Sequence, residues 1–225
     1  MTLIFNWVPN LFSILYSTLW IFKDVLLVLW ARSAKKRELK EKYTNLLLIM
    51  GIILLSWNVI SVFLPSVGID FFSFPDESDF FMINTIYFLY SFIPTFLHTV
   101  LAIILVLYFY NISFQYNRKS LIGPAIFLLG NIIRLCVLTI IYSILLSIDW
   151  FDFASLETIE ILIDVEAIAY IIIDFILVVG FCFIFIYSIY KNNALLTMFC
   201  GLYFAILMLS LFYNINYALI EFYPW

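Results

Sequence analysis

Six long apolar runs alternate with short polar segments along this chain, and the runs have the length of membrane spans. A span needs about 20 mostly apolar residues. The pattern predicts helices over approximately 8–30, 45–64, 82–110, 121–147, 161–190 and 194–213. Turn chemistry separates them. Pro65 follows the second run, and Gly123-Pro124 opens the fourth. Proline suits that place because its missing N–H has no partner in a first helical turn. Lys191-Asn192-Asn193 makes a tight turn between the last two runs. Short connections favour antiparallel neighbours. The expected fold is all-α: a polytopic integral membrane protein, a six-transmembrane-helix bundle, with residues 1–225 forming a single transmembrane domain.

Composition sharpens this reading. Of 225 residues, 66% are hydrophobic, and the mean hydropathy is +1.12. No soluble domain of this size needs so much apolar surface, and the runs leave no room for a separate one. The N-terminus has neither a positively charged leader segment nor a small-x-small cleavage pattern, so the first run is expected to stay as a span. Cys136, Cys182 and Cys200 all fall inside apolar runs and form no Cys-x-x-Cys pair. They read as small packing residues rather than a disulfide framework or a metal site.

Charge sets the expected topology. Residues 32–42 carry six basic side chains against two acidic ones. Arg118 and Lys119 mark a second basic loop and Lys191 a third. Basic short loops stay cytoplasmic. The intervening segments are acidic: Asp70, Asp76, Glu77 and Asp79 in one, Asp149, Asp152, Glu157 and Glu160 in the other. Both termini are therefore expected on the non-cytoplasmic side, with the basic loop 32–42 cytoplasmic and the protein in the cell membrane. Nucleic-acid binding is not expected, because the strong basic cluster is one short loop.

The informative positions are polar residues inside the runs. Arg134 lies near the centre of the fourth, and a guanidinium there costs roughly 2.5–3.5 kcal/mol on insertion scales. Counting depth along the helices puts Asp174 of the fifth run and His98 of the third at a similar level. Asp174 is the natural partner for Arg134, since pairing offsets part of both desolvation costs. Asn131 lies one turn before Arg134 on the same face and is expected to reach the same carboxylate. Glu166 and Tyr170 precede Asp174 at four-residue steps, and Asn58 is expected to face Glu166. Pro94 removes a backbone donor and predicts a local bend. Lys23-Asp24, in the last third of the first run, is expected to pair locally or to snorkel to the interface.

These residues define a candidate ligand- or proton-binding site of His98, Asn131, Arg134, Glu166, Tyr170 and Asp174. Histidine is the side chain that changes charge near neutral pH. The leading function is a receptor or transport-type protein binding a small ligand, ion or proton. The rival is a structural or assembly subunit of a larger membrane complex, in which the same groups lock helix register. Beyond the lipid bilayer, the partners implied are that ligand or other membrane subunits.

No enzymatic activity is expected. There is no Gly-rich phosphate loop and no His-Glu-x-x-His motif, and neither metal, cofactor nor catalytic residue is implied. A single histidine excludes bis-histidine haem within the chain. The Asn131/Arg134 spacing resembles the Asn-x-x-Arg segment of exosortase-type membrane transpeptidases. That family needs a cysteine upstream and a histidine downstream of the arginine. Here no cysteine precedes Arg134 and His98 lies upstream, so the chain is not assigned to it.

Overall fold

A computed structural model describes residues 7–36, 42–63, 77–115, 121–147 and 153–222. These form six helices: α1 (Trp7–Lys36), α2 (Lys42–Phe63), α3 (Glu77–Gln115), α4 (Ile122–Ser147), α5 (Phe153–Tyr190) and α6 (Ala194–Phe222). Among the described residues there is no strand. Five helices, α2 to α6, are long and apolar enough to cross a membrane, which marks an integral membrane protein. The helices extend beyond most of the expected spans. Glu77 and Asp79 belong to the first turn of α3, and Glu157 and Glu160 to the start of α5, where loops were expected. Residues 37–41 of the basic segment 32–42, and Asp70, Asp76, Arg118, Lys119, Asp149 and Asp152, lie outside the described residues.

Each helix packs on the next in the chain, and α1 closes on α6. The result is a ring of antiparallel neighbours whose side chains meet in the middle. The inward face is heavily aromatic. Trp30, Phe127, Phe181 and Phe199 have no exposed surface. Tyr203 touches Phe181 at 4.4 Å between ring centroids, and Trp30 stacks on Phe199. Outward-facing Ile140, Ile172, Phe175, Ile186 and Phe212 are each more than half exposed. Such an apolar exterior suits lipid, because no backbone group is exposed with it.

Glycine sets the closest approach. A Cβ on Gly180 would stand 2.6 Å from the backbone nitrogen of Phe127, and one on Gly123 would meet the carbonyl oxygen of Gly180 at 2.9 Å. Membrane helices use small residues in this way to bring backbones together. Further along, Gly130 leaves room for Leu177. Antiparallel continuation of this register brings Arg134 opposite Asp174. The α5–α6 turn is closed by Asn192, which has φ of 53°. Its N–H donates to the Ile189 carbonyl, while Asn193 caps α6 by accepting from Leu196 N–H.

Replacing Gly180 by alanine is expected to destabilise the bundle by about 1–3 kcal/mol, the usual range for overpacking, because the clash is with backbone. Gly201→Ala is the control. Its nearest neighbour is the ring edge of Phe185 at 3.2 Å, which can shift. Thermal unfolding of both variants in detergent checks this contrast.

Candidate functional site

The inward stripe of α1 runs Tyr16, Trp20, Lys23, Leu27, Trp30, spaced at three or four residues, so these side chains share a face. Lys23 and Asp24 are both fully buried. Lys23 therefore does not snorkel. At its position on the helix, the stem points inward with Trp20 and Leu27 instead of along the surface. Its ammonium lies 2.8 Å from Asp24 Oδ1 and 3.2 Å from His98 Nε2 on α3. The rings of Trp20 and Tyr203 stand 4.2 and 4.5 Å away, centroid to nitrogen. Such rings favour a desolvated cation through their negative faces. Asp24 Oδ2 accepts from the Asn58 amide of α2. Asn58 thus serves Asp24, not Glu166 as expected.

His98 is held at both nitrogens. Nδ1 is 2.7 Å from the carbonyl of Pro94, which that nitrogen can satisfy as an N–H donor, leaving Nε2 to accept from Lys23. Around Pro94 the helix continues. Thr95 donates to the Ser91 carbonyl and Thr99 to that of Thr95, so side chains serve the backbone near the proline, as membrane helices require.

The second cluster is the expected pair. Arg134 Nη1 is 3.8 Å from Asp174 Oδ1, an ion pair too long for a hydrogen bond. Asp174 is fully buried, and its tighter partners come from α6. Ser210 Oγ and Asn214 Nδ2 each donate to Oδ2 at 2.8 Å. Asp174 Oδ1 and Arg134 Nε are buried without any hydrogen bond. The Arg134 side chain as a whole is about one-third exposed, at 32%, and its guanidinium lies over the Tyr170 ring at 5.4 Å. Asn131 does not reach Asp174. Its amide donates 2.8 Å to the Phe127 carbonyl of its own helix, because its side chain folds back along α4.

A cavity of about 500 Å³ joins these groups. Every expected site residue except Asp174 lines it: His98, Asn131, Arg134, Glu166 and Tyr170. Asp174 sits behind Arg134. The lining runs from the middle of the helices toward the end of the bundle where α1, α3 and α5 begin and α4 and α6 end. A smaller cavity of about 210 Å³ lies beside Asn58 and Ser61 and shares Tyr16, Trp20, Pro94 and His98 with the first. Toward the other end the aromatic core closes the ring.

Sequence reasoning offered the Lys23–Asp24 pairing but left both out of the site, and it missed Trp20 and Tyr203, and also Ser210 and Asn214. The signal for the last two was present: Tyr203, Leu207, Ser210 and Asn214 follow one helical face. The fold and site together define a helical membrane protein with a hydrated-size polar cavity above a buried ion-pair floor. No family model, curated protein or solved structure matches this chain.

If Lys23 is structural in the way its burial implies, Lys23→Met will cost about 3–5 kcal/mol, the penalty of leaving a buried partner charge alone. A Lys23→Met/Asp24→Leu double variant will recover part of that loss. A snorkelling lysine would make the single change nearly silent. Denaturation midpoints of the three purified proteins distinguish these outcomes.

Proposed function

We propose that this chain is a receptor or transport-type protein of the cell membrane, which takes a small ligand into the large polar cavity with an anionic group of the ligand on Arg134. All six helices span the bilayer in this reading. The 30-residue α1, packed between α2 and α6, is the sixth. Both termini are on the non-cytoplasmic side, because the most basic connection, residues 32–42, is cytoplasmic by the positive-inside rule. The cavity then faces the outer half of the membrane.

One observation carries the reading. Arg134 lines the cavity with its side chain partly exposed and makes no hydrogen bond to the carboxylate 3.8 Å away. Asp174 is already bound by Ser210 and Asn214, so it neutralises Arg134 without using up its donors. Arginine offers donors in a fixed fork that fits a carboxylate or phosphate. A register lock would close that fork on Asp174. The cavity volume also falls within the range of small-molecule sites.

The test is thermal unfolding of the full chain in lipid nanodiscs with small carboxylates: acetate, benzoate and hydrocinnamate. A carboxylate at a hundredfold excess over its Kd is expected to add about 2.7 kcal/mol of stability, and Arg134→Gln, while still folded, is expected to abolish that gain. An absence of stabilisation by any carboxylate, together with co-purification of stoichiometric membrane subunits, overturns the reading in favour of an assembly role.

A further inference from the structure

Most of the buried charges do not face the large cavity. Asp174 and Asp24 are fully buried and do not line it, and neither does Lys23. Arg134 and Glu166 do. Among the described residues no cation stands within ion-pair distance of Glu166. Its partner is the hydroxyl of Tyr170, one turn along α5. The same tyrosine ring carries the Arg134 guanidinium on its face. The cavity wall therefore presents one positive and one negative group, with Tyr170 beside both and no ion pair between them. Beyond them the lining turns apolar, with Leu138, Leu177 and Leu207.

We infer that the ligand is a small zwitterion of the α-amino-acid type, with its carboxylate on Arg134, its ammonium on Glu166 and an apolar side chain toward the leucines. This rests on the reading of the cavity as a ligand site and names what that site selects. The chemistry follows from the two opposite charges on one cavity. A carboxylate and an ammonium on one carbon can meet a cation and an anion that share one cavity wall without pairing with each other. A simple anion leaves Glu166 facing it with repulsion, and a simple amine leaves Arg134 unused. Both penalties act in a poorly hydrated site where charge–charge effects are strong. Tyr170 is a positioning residue here, keeping the two charges from collapsing onto each other.

The experiment uses two matched sets on the nanodisc-embedded full chain: phenylalanine, hydrocinnamate and phenethylamine, and leucine, isocaproate and isoamylamine. Equilibrium dialysis is expected to give at least one amino acid binding about tenfold or more tighter than either of its analogues. Glu166→Gln is expected to remove that preference by weakening the amino acids and tightening hydrocinnamate, which no longer meets a repelling carboxylate. If the carboxylates bind as well as the amino acids, the zwitterion inference is overturned and the anion site at Arg134 stands. Amines binding as well as the amino acids overturn it too, and move recognition to Glu166. Silence from both complete sets, with the parent protein folded, overturns the inference and the ligand-site reading together.

Discussion

A charge placed inside an apolar helix ring has to be met there, since no water reaches it. Lys23, Asp24 and Asp174 have no exposed surface, and the positions of all six helices follow from how each is answered. Asp24 ties α1 to α2 through Asn58, and Lys23 ties α1 to α3 through His98. Asp174 ties α5 to α6 through Ser210 and Asn214 and to α4 through Arg134. The ring thus consists of two polar triads of consecutive helices. They meet where Tyr203 of α6 covers the Lys23 ammonium and where Thr99 of α3 approaches the Asn131 carbonyl of α4 at 3.5 Å.

The two triads are held differently, and that difference creates the cavity. In the first, the cation is enclosed by a carboxylate, an imidazole nitrogen and two rings, so nothing is left to bind. In the second, glycine contacts at Gly123 and Gly180 draw α4 onto α5 and bring Arg134 to the depth of Asp174. The carboxylate has already turned to α6. Its tightest bonds are the two 2.8 Å contacts, and the arginine is left with Coulomb attraction and a free edge. A neutral pair with unused donors is a poor lock, because the guanidinium is desolvated without the compensating hydrogen bonds that make a buried pair worthwhile.

Much of this was legible in the sequence, and the part that was not has a physical cause. Arg134 opposite Asp174 follows from counting depth in two helices joined by a short connection, because rise per residue is fixed. Rotation is not fixed by depth. Asn131 was placed at the right level yet folds onto Phe127, and Asn58 lies on the side of α2 that meets Asp24. Lys23 was misread because a lysine near a span end has two solutions, snorkelling or inward pairing. Its helical neighbours decide between them. Trp20, Leu27 and Trp30 share its face, and burying those rings carries the lysine inward. Ser210 and Asn214 were passed over because hydroxyls and amides in a span are commonly satisfied by their own backbone. Their shared face with Tyr203 was the stronger clue.

On the proposed reading, the floor of the cavity is what separates a receptor from a transporter. A ligand that reaches Arg134 and Glu166 meets Trp20, His98 and Tyr203 next, and beneath them the packed rings of Phe127, Phe181, Phe199 and Trp30. A receptor can keep that floor closed, since its signal needs only a shift of helices around an occupied cavity. A transporter has to open it. Opening pulls the aromatic faces from Lys23 and breaks its contact with His98, so the ammonium must then find water or a new partner on the far side. The buried Lys23–Asp24 pair, which sequence alone left between local pairing and snorkelling, therefore holds the position where release and retention of a ligand would diverge.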